Sequence, residues 1–455
     1  MNNRPGFTWL FAGVFTIALL TGLLMGYVTA VIAGALQFVS EQFSLSLGQQ
    51  GLLVSVILFG AFIGSLTCQH VINPLGQKKT LILIALMFVV GSLMCAYSHA
   101  FYNLLIGRFF TGLAVGMVNV SGPMYVAETS PVKYRGFFVG SVQLAITMGI
   151  FLAYVINYYF SSSHNWSMMF GLATLPALLL MIVAWFQVES PVWLFLKGRK
   201  QEAHLIYQRL HGVTWQLDDE IVSPSSTPVN LREFFQPLVL PITLFACGLF
   251  FFQNLSGIDA ILYYAPEIFQ LAGFKGAGRG LQVAMFLGLI NIIATLFSMW
   301  LLDKIGRRPV LIYGLSAMFL SLLLFSILSL YPAPAETTLI KWLSAIMLMI
   351  FVAAFALSMG PIPYVLMSEL FPSRLRMIGM GLASATSWGI NALITFAYPL
   401  LVNVFSLGIV FLIFTVVCFT ALVISVLFCP ETNQLSLESI EKKLKSGVAL
   451  RNLSD

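Results

Sequence analysis

The chain has 455 residues, of which 59% are hydrophobic and only 9% are charged. A soluble domain carries about a quarter charged residues, so this composition excludes a water-exposed surface over most of the chain. The five cysteines lie singly in or beside apolar runs without a CxxC pair, and the five histidines lack metal-ligand spacing. We therefore expect neither a metal site nor a cofactor.

Apolar runs of about 20 residues, the length that crosses a bilayer, recur twelve times along the chain. The first run is too long for the apolar region of a signal peptide, so we interpret it as a retained span. The predicted spans are 11–36, 48–71, 79–98, 101–127, 138–160, 166–188, 238–270, 281–302, 309–330, 340–367, 377–402 and 405–428. The pattern predicts an all-α membrane protein.

The longest polar interruption follows span six and divides the spans into two sets of six. The predicted domains are an N-terminal six-helix half over 1–190, a cytoplasmic linker with short helices over 191–236, a C-terminal six-helix half over 237–428 and a cytoplasmic tail over 429–455.

Lysine and arginine indicate the orientation. With the N-terminus in the cytoplasm, nineteen of these residues fall on the cytoplasmic side and three fall outside. Basic loops stay inside, so we expect a multi-pass protein of the plasma (inner) membrane with both termini cytoplasmic. The same bias explains the formal net charge of +6 without a nucleic-acid partner.

Short motifs recur in the two halves. They pair 73–79 with 303–308, Glu128 and Arg135 with Glu369 and Arg376, and Glu189 with Glu431. The carboxylates recur at offsets of 241 and 242 residues, which indicates an internal duplication of a six-span unit. Two such halves, with a binding site near the midplane between them, are typical of transporters.

Further motifs extend from about residue 26 to residue 441. They are Gly107-Arg108-Phe109, 122–128, Tyr134-Arg135-Gly136, Glu189-Ser190-Pro191, 253–259, Tyr263-Tyr264, 306–309, 360–363, 369–372 and Pro430-Glu431-Thr432. Together they resemble the sugar porter family of the major facilitator superfamily. The resemblance implies the major facilitator fold and alternating-access transport of a monosaccharide (hexose or pentose) or a cyclitol.

The resemblance also implies an ion-pair network on the cytoplasmic side, which holds the halves together and breaks when the cavity opens inward. Its residues are Glu128, Arg135, Asp303, Arg307, Arg308, Glu369, Arg376 and Glu431. The positive-inside rule accounts for the arginines but not for carboxylates at repeated spacing, which are costly at a membrane edge when isolated. Asn73 and Gln77 replace the family's Asp and Arg, so we expect a weaker network in the N-terminal half.

A sugar requires amides that donate and accept hydrogen bonds, and an aromatic plate for its apolar face. By resemblance, the binding residues are Gln143, Gln253, Asn254, Asn291 and Asn391, with Trp388 as the plate and Tyr263 and Tyr264 as gating tyrosines. Tyr364 stands where relatives often have Trp, Asp259 replaces an Asn, and Ser387 replaces an amide, so the identity of the sugar stays open. Each amide could alternatively tie two helices together.

Proton coupling has two candidate residues. Proton-coupled relatives have an Asp in span one where this chain has Val28, although the partner position Arg108 is kept. Asp259 is the carboxylate that lies well inside a predicted span, where a charge costs roughly 3 kcal/mol, so it pairs or carries a proton. We favour proton symport that uses Asp259 and Arg108, and uncoupled uniport is the alternative.

Other classes of protein fit less well. A non-transporting sugar sensor of the same fold would carry a longer tail than the one that follows Pro430. An enzyme is not expected, because no nucleophile, base and orienting group are arranged together, and a channel would show a repeated pore signature. The expected partners are a small sugar or polyol, protons and the lipid bilayer, and we expect a functional monomer.

Overall fold

The structure, a computed structural model, describes residues 9–130, 134–211, 231–237, 239–274, 278–330, 338–371, 375–432, 443 and 451. These residues are mainly helical, and the described part of the chain contains no strand. The helices up to residue 211 are α1 (Trp9–Ala30), α2 (Ile32–Phe43), α3 (Leu47–Leu75), α4 (Gln77–Ala96), α5 (Phe101–Thr129), α6 (Arg135–Ser161), α7 (Trp166–Gly171), α8 (Thr174–Phe186), α9 (Pro191–Leu196) and α10 (Lys200–His211).

A short 3-10 helix covers Leu231–Phe235. The helices that follow it are α11 (Leu240–Leu255), α12 (Ile258–Tyr263), α13 (Ala265–Leu271), α14 (Arg279–Ile305), α15 (Arg307–Leu330), α16 (Thr338–Leu357), α17 (Ile362–Leu370) and α18 (Arg376–Phe428). The predicted all-α class is confirmed.

Eleven helical segments among the described residues are long and apolar enough to cross a membrane. The last of them, Ile378–Phe428, has 51 residues, more than twice what one crossing needs. It contains predicted spans eleven and twelve, and Ser406, with φ 67° and ψ 159°, interrupts the helix between them. The architecture of twelve spans in two halves is therefore present, with the last two spans joined directly.

Four spans are interrupted along their length in the described part of the chain. Span one divides between α1 and α2, span six between α7 and α8, span seven between α11, α12 and α13, and span ten between α16 and α17. Span seven breaks at Gly257, whose φ of 87° is left-handed, and the Phe414 ring occupies the space that a Cβ would need there. Such breaks release backbone groups from the helix, and these groups need new partners because lipid supplies none.

The chain forms two compact units. The first contains Met1–Ala35, Val56–Ile156 and His164–Thr227, and the second contains Leu36–Ser55, Asn157–Ser163 and Pro228–Asp455. Within the second unit, Gln270 donates to Gln37 at 3.4 Å and Gln282 donates to Tyr158 at 2.8 Å. Parts of predicted spans one, two and five thus belong to the second unit by contact. The domain boundaries expected at residues 190 and 237 stay a prediction.

Within the first unit, α1 and α6 lie in direct backbone contact. A Cβ on Gly22 or Gly26 of α1 would overlap the carbonyl of Val142 or Ile146, and Gly149 on α6 meets the α1 backbone in the same way. Small residues at four-residue spacing let helices approach closely in lipid, where van der Waals packing replaces the hydrophobic effect.

We expect Gly26→Val to push α1 and α6 apart and to lower stability by about 1–3 kcal/mol, the usual cost of overpacking. The measurement is the thermal unfolding temperature of the purified protein in detergent. Gly248→Val on α11 is the matched control, because a Cβ there meets nothing within 4 Å. Equal losses in both variants would show that the helix contact is not the cause.

Candidate substrate site and carboxylate clusters

The break in span seven places a carboxylate at the start of a short helix. Gly257 ends the first segment of the span, and Asp259 lies in the first turn of α12. The free backbone N–H groups and the dipole of a helix N-terminus favour negative charge, so the break provides a suitable place for an acidic side chain in an apolar span. The side chain of Asn391 and the hydroxyl of Tyr263 both hydrogen-bond Asp259, which is half-buried.

Gln253 connects the broken spans seven and ten. Its Nε2 donates to the carbonyl of Met359 at 2.8 Å and to that of Gly360 at 3.2 Å, where α16 has ended and α17 has not begun. Both amide hydrogens are thereby engaged. The part of Gln253 left for a ligand is its Oε1, which accepts a hydrogen bond and therefore suits a hydroxyl donor.

Asn254 belongs to a second set of contacts beside Asp259. Its Nδ2 donates to the Phe250 carbonyl at 2.7 Å and to Ser387 Oγ at 2.9 Å, and Ser387 also hydrogen-bonds Tyr364. Tyr364 lies within electrostatic range of Asp259 and is 38% exposed. The residues that depart from the family pattern, Asp259, Tyr364 and Ser387, are therefore neighbours in one site.

The aromatic residues predicted for the site differ in how deeply they are buried. Trp388 follows Ser387 on α18 and is almost completely buried. Tyr264 is buried as well, and its hydroxyl donates to the Thr395 carbonyl at 3.0 Å. Trp388 and Tyr264 are therefore packed within the second unit, whereas Tyr364 is partly exposed.

Three other predicted residues stand apart from these contacts. Asn291 on α14 is buried, and the described contacts include no hydrogen bond to its side chain. Gln143 is exposed on α6, and Arg108 on α5 is 1% exposed with its guanidinium 5.6 Å from the centre of the Phe170 ring. Gln143 and Arg108 belong to the first unit, so their roles at the site stay predictions.

In the second unit, Glu431 forms the centre of a carboxylate cluster. Its oxygens accept the backbone N–H groups of Arg307 and Arg308, both at 3.1 Å, and of Thr432 at 2.9 Å. The Arg307 guanidinium pairs with Glu369 at 3.0 Å, and Thr432 Oγ1 donates to Glu369 at 2.5 Å. The predicted ion pair between Arg307 and Glu369 is thus present geometrically, although its part in transport stays a prediction.

The first unit contains a cluster of the same design. Glu189 accepts the backbone N–H groups of Lys78 at 3.0 Å and of Ser190 at 2.9 Å, and the Ser190 hydroxyl donates to Glu128. Gly76, with φ 90°, lies against the Glu189 carboxylate, as Gly306, with φ 100°, lies against Glu431. A glycine is needed in each cluster because a Cβ would overlap the carboxylate.

The two clusters differ where Gln77 replaces arginine. Gln77 is 0% exposed, and neither its Nε2 nor its Oε1 has a hydrogen-bond partner among the described residues. The corresponding Arg307 reaches Glu369 across a partly buried ion pair. The side chains of Arg135, Asp303 and Arg376 lie outside the described part of the structure, so their places in the network stay predictions.

Comparison with known proteins identifies the family. The family described as "Sugar (and other) transporter" matches residues 14–444. The chain belongs to the sugar porter family of the major facilitator superfamily. Members of this family are transporters and not enzymes, and they lie in membranes.

Among sugar porters, the D-xylose transporter of Levilactobacillus brevis is 34% identical over 95% of this chain and 95% of its own. The galactose-proton symporter of Escherichia coli K12 is 31% identical over 96% and 95%. The xylose transporter XylE from E. coli, in a partially occluded inward open conformation, matches with a TM-score of 0.79 and 26% identity over 93% of this chain and 99% of that one.

The structure adds polar residues that the sequence did not single out. Thr395 and Tyr398 follow Asn391 on α18, and the half-buried Glu267 lies on α13. Threonine and tyrosine are common in membrane spans and give no signal by themselves. Glu267 could have been singled out from the sequence, because it is a carboxylate within the apolar run predicted as span seven, close to the end of that run.

We expect Arg307→Gln, which gives the second cluster the composition of the first, to leave Glu369 without its ion pair. Loss of this partly buried pair should cost about 1–3 kcal/mol and change cysteine accessibility on the two sides of the membrane. Arg199→Gln is the control, because Arg199 forms an exposed pair with Glu202. Its loss should leave both the stability and the cysteine accessibility unchanged. Unchanged accessibility in Arg307→Gln would contradict a role in switching.

Proposed function

We propose that this sugar porter carries a monosaccharide (hexose or pentose) or a cyclitol by alternating access, in symport with protons. The observation that carries the proposal is the polar group around the break in span seven. It combines an accepting carboxylate at Asp259, an accepting amide oxygen on Gln253, and hydroxyls on Ser387 and Tyr364.

The hydrogen-bonding character of this group suits a polyol. Asp259 and Gln253 Oε1 accept hydrogen bonds, and each sugar hydroxyl donates one and accepts others. Tyr364, which is 38% exposed, combines a hydroxyl with an apolar ring, as a sugar with polar rims and an apolar face requires. The D-xylose and galactose carried by the named relatives support this substrate class.

We propose that the protein lies in the plasma membrane with both termini in the cytoplasm. This orientation rests on the excess of lysine and arginine in the loops on one side. We also propose that the protein works as a monomer. The two carboxylate clusters are then cytoplasmic. In the proposed cycle, the ion pair between Arg307 and Glu369 contributes to closing that side and separates when the side opens.

Asp259 is the proposed coupling residue. Val28 cannot carry a proton in span one, so the proton site must lie elsewhere if transport is coupled. A potential of 100 mV contributes about 2.3 kcal/mol per proton, enough to concentrate a sugar roughly fiftyfold. Arg108 is the second candidate. The same Val28 favours the alternative function, an uncoupled uniporter in which Asp259 only accepts hydrogen bonds from the sugar.

We expect Gln253→Ala, Asn391→Ala and Trp388→Ala each to weaken sugar binding while the protein stays folded. Losing one hydrogen-bonded amide should cost about 1–3 kcal/mol, which is about five- to a hundredfold in affinity. Binding is measured with labelled glucose, xylose, galactose and myo-inositol. Gln69→Ala, which removes an exposed amide bonded to Asn73, is the control. Wild-type affinity in all three variants would mean that these groups serve packing alone.

The coupling proposal is tested with Asp259→Asn in liposomes. We expect the variant to exchange sugar across the bilayer at equilibrium but to lose uphill uptake driven by a pH gradient, because an amide cannot take up a proton. Absence of gradient-driven uptake of a confirmed substrate by the wild-type protein would overturn symport and leave the uniporter.

A further inference from the structure

Span ten contains two closely spaced prolines, and each removes a hydrogen bond from the helix. Proline has no backbone N–H, so Pro361 cannot donate to the Leu357 carbonyl four residues earlier. For the same reason, Pro363 cannot donate to the Met359 carbonyl. The break between α16 and α17 lies where these two donors are missing. Span four has a single proline at the matching place, Pro123, and α5 continues through it.

Each carbonyl that a proline leaves without its donor is bonded by a side chain from another span. Gln253 Nε2 on α11 donates to the Met359 carbonyl at 2.8 Å. Ser298 Oγ on α14 donates to the Leu357 carbonyl at 3.1 Å. Lipid offers no donor to such carbonyls, so spans seven and eight together satisfy the break in span ten.

The Ser298 hydroxyl bonds outside its own helix. A serine or threonine hydroxyl within a helix commonly donates to a carbonyl three or four residues earlier. Thr295 on the same helix donates in this way to the Asn291 carbonyl at 2.8 Å, and Ser321 on α15 donates to the Met318 carbonyl at 3.0 Å. The Ser298 bond instead joins residues 59 apart along the chain, and Ser298 is 2% exposed, so bulk water does not compete for it.

Three consecutive residues at the break are held by three different spans. Leu357 is held by Ser298 of span eight, and Met359 is held by Gln253 of span seven. Ser358, between them, occupies the space that a Cβ on residue 314 of span nine would need, and that residue is a glycine. The position of the break is therefore fixed from three sides within the second unit.

The break determines where Tyr364 lies, because Tyr364 belongs to the first turn of α17. Its ring packs edge-to-face on the ring of Phe250 on α11, with centroids 4.8 Å apart, and its hydroxyl hydrogen-bonds Ser387 on α18. A change in the direction in which α17 leaves the break would move Tyr364 away from both contacts. A binding site of this kind depends on the contacts that support it, since a displacement of about 1 Å is enough to impair it.

We propose that Ser298 is a positioning residue of the substrate site. Its hydroxyl holds the Leu357 carbonyl and so fixes the direction of α17, which places Tyr364 for the sugar. It also keeps the Met359 carbonyl in place for Gln253, whose Oε1 then accepts from a sugar hydroxyl. The proposal rests on the proposed function, because it assigns Ser298 to the support of a sugar site. Ser298 acts through span ten and does not itself contact the sugar.

Equilibrium binding of labelled glucose, xylose, galactose and myo-inositol to the purified full-length protein tests the positioning. We expect Ser298→Ala to weaken sugar binding about two- to tenfold, because a hydrogen bond that supports the site is lost. Ser298→Thr keeps the hydroxyl and should bind with nearly wild-type affinity. Ser321→Ala removes a buried hydroxyl that is bonded within its own helix, so it is the matched control and should bind as the wild type does.

Wild-type affinity in Ser298→Ala would overturn the positioning role. Equal weakening in Ser298→Ala and Ser321→Ala would also overturn it, because loss of any buried hydroxyl would then have the same effect. Binding is measured well below the unfolding temperature of every variant, so that a lower affinity reflects the site and not unfolded protein.

Hydrogen exchange of the same proteins without sugar tests the break itself. Ser298→Ala should speed amide exchange in peptides that cover residues 357–366, because the Leu357 carbonyl loses its donor and the break opens more often. Ser298→Thr and Ser321→Ala should exchange there at the wild-type rate. Unchanged exchange in Ser298→Ala would show that Ser298 does not hold the break. Faster exchange with wild-type sugar affinity would show that the break does not position the site.

Failure of the proposed function gives a different result. If the wild-type protein binds none of the four sugars, the proposed function and the sugar-positioning role both fail, while hydrogen exchange still decides whether Ser298 holds the break. If the wild type binds a sugar and Ser298→Ala binds it equally well, the role of Ser298 alone is wrong.

Discussion

The hydrogen bonds from Gln253 to the carbonyls of Met359 and Gly360 are the interaction on which the candidate site depends. Hydrocarbon offers no partner to a carbonyl released by a broken helix, so a break in span ten needs a donor from a neighbouring span. Gln253 supplies it just before span seven itself breaks at Gly257. The two breaks support each other, and Asp259 takes its position in the turn that follows.

The two carboxylate clusters show which part of a duplicated design is constant. In each, a glutamate carboxylate accepts backbone N–H groups at the start of a helix, a contact that does not depend on the side chains of the donating residues. The ion pair is an addition that Arg307 makes and Gln77 does not. The backbone contacts are therefore common to the two clusters, and the side-chain pair is the part that differs between the halves.

The sequence was sufficient to predict the twelve spans, because lipid requires long apolar runs, and to indicate Gln253, Asn254, Asp259 and Asn391 through motifs. It could not predict that both Gln253 hydrogens are engaged, since their acceptors lie 106 and 107 residues away along the chain. Nor could it indicate Thr395 or the orphan atoms of Gln77, because hydrogen-bond direction depends on packing between spans and not on composition.

The junction at Ser406 has a mechanical consequence. Helix connections usually contain a few flexible residues, but here spans eleven and twelve meet at one residue with a left-handed φ of 67°. A joint this short leaves the two spans little freedom to tilt separately. A displacement of the face that bears Asn391 therefore has no flexible linker to absorb it before it reaches span twelve.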